Sequence, residues 1–232
     1  MERGVTLHRA IEVACAEPMI RRTEIVTLDE ARGRILSDPL SSKVDDPHFD
    51  NSAMDGFAVK SSDCSSTETR LEIIGTSQAG GNQPPSVSKG QACRIMTGAP
   101  VPSGADAIVM IEDTVIEGNH VVITGPARVE YIRYRAENLA QGQEALPKGT
   151  QLGASELALA ATMGHGEIEV VVKPKIAILS TGDELIPAGV EINSGQIYES
   201  NSHAIASLVE RMGCEAIRLE SAPDSLEELR KT

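Results

Sequence analysis

The segment from residue 44 to residue 126 constrains the fold most, because it is made of short apolar runs separated by glycine, proline and serine. Runs of this length without helical periodicity predict β-strands. The predicted strands are residues 57–59, 71–75, 92–96, 107–111, 114–116 and 121–124. Glu117-Gly118-Asn119 is typical of a hairpin turn between the last two strands. The segment therefore predicts a small all-β domain, either a barrel or a sandwich.

Helical signals lie on both sides of this segment. In the N-terminal part, Thr6 is a candidate cap and Pro18 a stop for an amphipathic helix. Thr27-Leu28-Asp29-Glu30 has the pattern of a capping box, which predicts the start of a second helix. The elements predicted here are a helix at 6–17, a strand at 25–26 and a short helix that ends at Leu36. We interpret all of them as scaffold.

After the β segment the pattern changes to alternating helix and strand. Ser155 is predicted to cap a helix that ends at Gly164, and a strand follows at 168–172. The continuous apolar run after Pro174 is typical of a parallel strand covered on both faces. The remaining elements predicted are a strand at 175–179, a helix at 202–212 closed by Gly213, a strand at 215–219 and a capping box at 225–228.

One strand–helix–strand unit cannot cover both faces of a parallel sheet. The region after residue 174 therefore looks unfinished, and we expect a truncated protein or one that needs a partner.

Composition excludes several classes of function. The formal net charge of −13 argues against a nucleic-acid partner, which needs a basic face. The four cysteines show no paired metal-ligand spacing, which fits free thiols in a reducing compartment. No apolar run approaches the roughly 20 residues of a membrane span, and no signal-peptide pattern is present. We therefore expect a cytoplasmic protein without a membrane or nucleic-acid partner.

The most unusual loop is residues 45–55, which contains four aspartates and enters the predicted strand at Gly56. Such an acidic loop with hydroxyl groups can hold hydrated Mg²⁺ or a polar ligand, or it can be an ordinary solvated loop. A second loop, after the strand at 92–96, contains two prolines and two glycines and would present Thr97 rigidly, and a plain crossover turn is the alternative.

Two further stretches are candidates. Arg128, Arg133 and Arg135 lie within eight residues and suit carboxylate or phosphate oxygens, although taken alone the stretch favours a solvated strand face paired with Glu130 and Glu137. The loop at 180–184 follows a strand of the predicted parallel sheet. Ligands of open α/β sheets bind at such carboxyl ends of strands.

Three motifs together resemble the molybdopterin molybdotransferase family, which comprises MoeA and the gephyrin E domain. They are Phe49-Asp50-Asn51-Ser52-Ala53-Met54-Asp55-Gly56, Arg94-Ile95-Met96-Thr97-Gly98-Ala99-Pro100-Val101-Pro102 and Ser180-Thr181-Gly182-Asp183-Glu184-Leu185. Gly195-Gln196-Ile197-Tyr198 followed by Ser200-Asn201-Ser202 is also similar to the family. The motifs are in the family's order and extend through nearly the whole chain.

The resemblance implies an α+β multidomain fold. It implies a linker-type α+β domain at 1–43 and 127–173, an inserted β domain at 44–126, and the N-terminal part of an α/β, molybdopterin-binding type domain at 174–232. It further implies an elongated homodimer that inserts molybdate into adenylylated molybdopterin with release of AMP and a requirement for Mg²⁺. The molybdopterin adenylyltransferase is a candidate partner.

Site residues are carried over by motif position. The resemblance implies catalytic roles for Asp55, Asp183 and Glu184, with Asp55 and Glu184 as Mg²⁺ ligands. It implies substrate-binding roles for a larger set of residues: Asp50, Asn51, Ser52, Thr97, Gly98, Arg135, Asn138, Ser180, Thr181 and Gly182.

The chain departs from the family in two respects. Ala136-Glu137-Asn138 stands where the family has a Gly-Glu-Asp or Gly-Ser-Asp step. The family's second half, with its lysine-bearing loop, has no counterpart in these residues. We therefore do not expect this chain alone to complete the reaction, and the alternative function is a non-catalytic, MoeA-like binding or scaffolding protein.

Overall fold

The computed structural model describes residues 5–16, 22–65 and 68–223, together with residues 225, 227 and 229. Its helices are α1 (Leu7–Cys15), α2 (Ala154–Thr162) and α3 (Asn201–Arg211). Its strands are β1 (Thr23–Thr27), β2 (Leu40–Ser41), β3 (Asn51–Ser52), β4 (Gly56–Val59), β5 (Thr69–Ser77), β6 (Gln91–Ile95), β7 (Ala107–Met110), β8 (Thr114–Glu117), β9 (His120–Ile123), β10 (Ile132–Arg133), β11 (Glu144–Leu146), β12 (Glu167–Val171), β13 (Lys175–Ile178), β14 (Leu185–Ile186), β15 (Ile197–Tyr198) and β16 (Glu215–Arg218).

The chain folds into two compact units. The first comprises Met1–Pro39, Pro147–Leu157 and Gly166–Thr232, and the second comprises Leu40–Leu146 and Ala158–His165. The six predicted β-strands all form, and all lie in the second unit. The three-domain division inferred from the resemblance stays a prediction.

The β segment forms one six-stranded mixed sheet with the strand order β7-β4-β6-β5-β9-β8. Strands β5 and β6 run parallel, and the other neighbours run antiparallel. The all-β character is confirmed, and so is the hairpin turn at Gly118, which adopts a φ of 63°. A closed barrel does not form among the described strands, because β7 and β8 lie at opposite edges and do not pair.

Strand β4 is the buried centre of this unit, since all four of its residues are buried. Side chains alternate between the faces of a strand. Accordingly, Phe57 and Val59 pack with Leu71, Val109 and other apolar side chains on one face, whereas Ala58 packs with Ile95 and neighbouring residues on the other. With only 2% aromatic residues in the chain, small and branched aliphatic side chains build both clusters.

Helix α1 begins as predicted, with the Arg9 N–H donating to Oγ1 of Thr6 at 3.3 Å. Its predicted stop at Pro18 lies outside the described residues. The predicted helix from residue 28 to 36 is wrong. The Thr27–Glu30 capping contacts do form, but Gly33 turns with a φ of 75° and Leu36 is extended, bridging to Val170. Tertiary pairing therefore overrides the local helical signal.

Helix α2 starts one residue before Ser155, so this serine is not its cap. Gly153 precedes the helix instead, and its N–H donates to Oε2 of Glu156 at 2.9 Å. The predicted end at Gly164 is confirmed by its φ of 87°. The strand that follows, β12, pairs antiparallel with β1.

The predicted strand–helix–strand unit is confirmed as β13, α3 and β16, with the two strands parallel. Strands β14 and β15 add a short parallel pair. Strand β13 is not covered on both faces, because Ile176 is 40% exposed and Ile217 on β16 is 38% exposed. The described residues place only α3 against this two-strand sheet. The capping box at 225–228 falls partly outside the described residues.

Gly56 provides a test of this architecture. A Cβ atom at this position would lie 1.9 Å from the backbone oxygen of Val109, within the neighbouring strand β7. Gly56→Ala should therefore push β4 and β7 apart and lower the free energy of unfolding by about 3 kcal/mol or more. Chemical denaturation followed by circular dichroism measures this change.

The matched control is Gly166→Ala, since a Cβ atom there meets nothing within 4 Å. Its effect should stay within about 1 kcal/mol of the wild type. Equal stabilities of the two variants would contradict the close approach of β4 to β7.

Candidate functional site

Asp55 and Thr97 meet at the ends of two paired strands in the second unit. Gly56 of β4 lies opposite Ile95 of β6, so the residue before one strand lies beside the loop after the other. Oδ1 of Asp55 accepts hydrogen bonds from the N–H of Thr97 at 2.6 Å and from its hydroxyl at 2.8 Å. These two donors, the N–H first, lower the pKa of Asp55 below its usual value. An exposed carboxylate is thereby held charged in a fixed orientation.

A second set of contacts joins the acidic loop to the chain after β10. Oδ1 of Asp50 accepts from the Arg135 N–H at 2.8 Å, and Oδ2 of Asp45 accepts from the Arg135 Nε at 2.5 Å. Oδ1 of Asp45 also accepts the Gln141 N–H, which is the main cause of the lowered pKa of Asp45. Arg135 is thus an internal brace of the loop in addition to its predicted role toward substrate.

Asn138 faces the same loop. Its Nδ2 donates to Oδ2 of Asp46 at 3.0 Å, and its backbone N–H donates to the Asp46 carbonyl at 2.9 Å. The amide therefore contacts a carboxylate at the position where the resemblance predicts an aspartate. The neighbouring Ala136 adopts a φ of 61°, a left-handed conformation that glycine takes without strain. This geometry is compatible with the glycine that the resemblance predicts there.

These loops enclose a cleft of about 400 Å³ within the second unit, lined by Asp46, Pro47, Asn51, Gly98, Arg133, Glu137 and Asn138. Asn51 is 8% exposed, and its Nδ2 donates to the Phe49 carbonyl. Its Oδ1 is buried without a hydrogen-bond partner among the described residues. Buried polar atoms are normally paired, so this oxygen is an exception in the wall of the cleft.

The remaining predicted residues of this unit have structural contacts. Ser52 is fully buried, and its hydroxyl donates to the Met54 carbonyl at 2.6 Å, so it shapes the turn and is not exposed to a ligand. Gly98 has a φ of 78° and donates its N–H to the Ser52 carbonyl. Sequence reasoning selected Arg135, whereas the arginine that lines the cleft is Arg133. The only sequence signal for Arg133 was its place in the same arginine-rich stretch.

The predicted loop at 180–184 lies in the first unit, directly after β13. Thr181 bridges Ala222 in a parallel arrangement, and the Gly182 N–H donates to the Ala222 carbonyl at 3.2 Å. The side chain of Glu184 folds back over Gly182, since a Cβ atom there would lie 2.7 Å from its Oε2. Asp183 and Glu184 are both exposed, as a ligand-binding role requires.

A residue that sequence reasoning missed holds this loop. Glu199 is 7% exposed, and its Oε1 accepts from the Ser180 hydroxyl at 3.0 Å and from the Ser202 N–H at 2.7 Å. Its Oε2 accepts from the Ser202 hydroxyl at 2.6 Å. These donors, led by Ser202, lower the pKa of Glu199 to about 2. The sequence signals were its place between Tyr198 and Ser200, inside the fourth stretch that is similar to the family, and its position just before the helix that starts at Asn201.

The predicted Mg²⁺ ligands belong to different units, Asp55 to the second and Glu184 to the first. Within the described ranges, no group of three histidine, cysteine, aspartate or glutamate side chains could hold a metal ion. Mg²⁺ commonly uses one or two carboxylates and completes its shell with water and substrate phosphates. A single oriented carboxylate such as Asp55 fits that donor set, while the pairing with Glu184 stays a prediction.

Comparison with known proteins agrees with these motifs. The family described as "MoeA N-terminal region (domain I and II)" matches residues 5–164, and the "Probable molybdopterin binding domain" matches residues 177–232. A molybdopterin molybdenumtransferase from Nostoc sp. is 42% identical over 84% of this chain and 46% of its own length. Its counterpart from Synechococcus elongatus is 38% identical over 94% of this chain and 57% of its own length.

A solved structure is similar over nearly the whole chain. The molybdopterin biosynthesis MoeA protein from Pyrococcus horikoshii superimposes with a TM-score of 0.86 at 33% identity, covering 98% of this chain and 59% of that one. The chain thus spans about half the length of the curated relatives it matches. No helix in the described part of the chain is long and apolar enough to cross a membrane. On the strength of the matched regions, this chain belongs to the MoeA family and corresponds to its N-terminal portion.

Proposed function

We propose that this chain acts in the insertion of molybdate into adenylylated molybdopterin, with release of AMP, during molybdenum cofactor biosynthesis. The relatives named molybdopterin molybdenumtransferase support this assignment. The structural observation that carries it is the cleft around Asn51, where Asn51 and Gly98 of the first two motifs lie with charged and polar side chains of the arginine-rich stretch. Such a cleft is built to receive a polar ligand.

Two groups of residues would serve the reaction. Asp55 and Glu184 would hold Mg²⁺ together with phosphate oxygens of the substrate, and the ion would neutralise charge on the phosphate linkage that is cleaved. Thr97 orients Asp55 and keeps it charged. Asn51, Gly98 and Asn138, together with the newly found Arg133, would contact the substrate in the cleft.

Other residues support these groups. Ser180, Thr181, Gly182 and Asp183 would form the substrate loop of the first unit, and Asp50 and Arg135 would brace the acidic loop of the second. We further propose a cytoplasmic homodimer built from a linker-type domain, an inserted β domain and an α/β domain. The molybdopterin adenylyltransferase would deliver the adenylylated substrate.

A scaffolding function is the second candidate, and the distribution of cations favours it for the chain alone. Oxyanions such as molybdate need cationic or backbone N–H donors. The described region from residue 175 onward contains three Lys or Arg side chains: Lys175 pairs with Glu215, Arg218 contacts Glu199, and Arg211 ends α3. None of the three lies in the 180–184 loop. We therefore expect the 232-residue chain to bind substrate without completing the insertion.

The function is tested by titrating the chain with adenylylated molybdopterin in the presence of Mg²⁺. Wild-type protein should bind, and Asp55→Asn should weaken Mg²⁺-dependent binding by about tenfold, because one ligand charge is lost. Asp106→Asn is the matched control, because that aspartate contacts Ser61 on another loop.

Absence of binding by the wild type, or equal losses in the two variants, would contradict the proposed function. Release of AMP after molybdate is added separates an enzyme from a scaffold. Appreciable cofactor formation by the chain alone would overturn the scaffolding expectation.

Removal of the Thr97 hydroxyl should raise the pKa of Asp55. In Thr97→Val the N–H donor remains, so the pKa should rise yet stay below its usual value. Because the pKa is lowered in the folded protein, any stabilisation from this contact is present above the unfolded-state pKa of about 4 and is lost in acid. Because the pKa of Asp55 is higher in the variant, the variant should lose this stabilisation at a higher pH than the wild type does. Carbon NMR of the Asp55 carboxyl group measures the shift, with the exposed Thr124→Val as control.

Asn138→Asp should convert the Asn138–Asp46 hydrogen bond into a pair of facing carboxylates. Without a divalent cation the pair should destabilise the protein by about 1 kcal/mol, because like charges then face each other. With Mg²⁺ the pair should bind the ion about tenfold more tightly than the wild type. Calorimetric titration with Mg²⁺ measures this, and Asn138→Ala removes the hydrogen bond without adding charge. Equal Mg²⁺ affinity in all three proteins would rule out a charge role at this position.

A further inference from the structure

Glu199 is a buried carboxylate that lies outside the three family motifs carried over as site residues. It follows strand β15 and immediately precedes the N-terminal turn of α3. Both of its oxygens accept hydrogen bonds, from the Ser180 hydroxyl and from the N–H and hydroxyl of Ser202. Burial of a carboxylate costs free energy unless hydrogen bonds compensate for it. These three contacts supply that compensation.

The contacts of Glu199 extend to a third element. Nε of Arg218, the last residue of β16, donates to Oγ of Ser202 at 2.9 Å, and its guanidinium lies 3.9 Å from Oε2 of Glu199. A further contact joins Arg218 to Nδ1 of His203 at 3.1 Å. The carboxylate therefore ties Ser180, two residues after β13, to the first turn of α3 and the end of β16 in one network.

This network lies at the N-terminus of α3, where the helix would otherwise attract an anion. The first-turn N–H groups of a helix favour negative charge. Here the Ser202 N–H is already bound by the chain's own carboxylate, which the low pKa keeps charged through the neutral and mildly acidic range. The N-terminus of α3 is thus stabilised internally, and Ser180 is held by the same group.

We propose that Glu199 is a positioning residue that fixes the 180–184 loop for substrate by anchoring Ser180 to the N-terminus of α3. This proposal rests on the proposed function, which assigns the loop to substrate binding. Glu199 acts through Ser180, to which it is hydrogen-bonded, and both residues line a cavity of about 370 Å³ beside the loop. Without it, the loop remains attached through the backbone pairing of Thr181 and Gly182 with Ala222 but loses its side-chain anchor.

Two backbone amides report on the loop independently of Glu199. The Gly182 N–H donates to the Ala222 carbonyl, and the Ala222 N–H donates to the Ser180 carbonyl at 3.0 Å. Neither amide bonds to Glu199, so their hydrogen-exchange rates follow the order of the loop. The amides of β1 and β12, which pair elsewhere in the same unit, serve as an internal reference.

The experiment compares wild-type protein with Glu199→Ala and Glu199→Gln by amide hydrogen exchange and NMR. In Glu199→Ala the Gly182 and Ala222 amides should exchange about tenfold faster, the factor expected when a hydrogen bond to a charged group is lost. The β1 and β12 amides should be unchanged. Glu199→Gln keeps the side-chain size and one acceptor, so its rates should lie between the two. Glu191→Ala, at an exposed glutamate of the same unit, should behave as wild type.

Chemical rescue separates positioning from general destabilisation. Acetate added to Glu199→Ala supplies a carboxylate to the vacated donors of Ser180, Ser202 and Arg218, and it should slow exchange at Gly182 toward the wild-type rate. Unchanged exchange at Gly182 and Ala222 in Glu199→Ala would overturn the proposal. So would acceleration spread equally over β1 and β12, or the failure of acetate to slow the loop amides.

Substrate binding provides the functional readout. Adenylylated molybdopterin should bind Glu199→Ala about tenfold more weakly than wild type, and acetate should restore part of the affinity. Equal affinity of the two proteins, with a disordered loop in the variant, would overturn the role of Glu199 toward substrate. If the wild type itself does not bind, the proposed function fails, while the exchange data still decide whether Glu199 positions the loop.

Discussion

The structure of the second unit depends on the pairing of β4 between β6 and β7. All four residues of β4 are buried, and Gly56 approaches the β7 backbone so closely that no side chain fits. Apolar clusters pack against both faces of this strand. The acidic loop ends at Asp55, immediately before the strand begins at Gly56. The register of β4 with β6 then places Asp55 beside Thr97. The position of the candidate site is therefore a consequence of how the sheet packs.

Acidic side chains hold loops of both units in place by accepting hydrogen bonds from backbone N–H groups. Asp45, Asp50, Asp55 and Glu199 each accept at least one backbone N–H from a distant or following residue. Hydrogen bonds from N–H groups to carboxylates are stronger than those between neutral groups. Part of the formal charge of −13 thus serves to hold polar loops in place, and the contacts of Asp45, Asp55 and Glu199 also lower the pKa of these carboxyl groups.

Motif position selected candidate site residues, but it could not show which contacts they make. Asp55, Thr97 and Asn138 lie at exposed positions with carboxylate or hydroxyl contacts, as candidates for a polar site should. Ser52 is instead buried within a turn, and Arg135 braces the acidic loop while Arg133 lines the cleft. Motif position identifies a stretch of chain, whereas the direction of each side chain depends on strand register and turn geometry.

The sequence by itself determined the β-strands of residues 57–124, the strand–helix–strand unit after Pro174 and the family, because apolar periodicity and motif order are local properties of the chain. Only the tertiary structure decided the rest. It replaced the helix expected to end at Leu36 with an extended segment paired to Val170, and it buried Oδ1 of Asn51 without a hydrogen-bond partner among the described residues. It also brought Glu199 to Ser180, nineteen residues away. Such contacts arise from pairing and burial between distant segments, which no local pattern encodes.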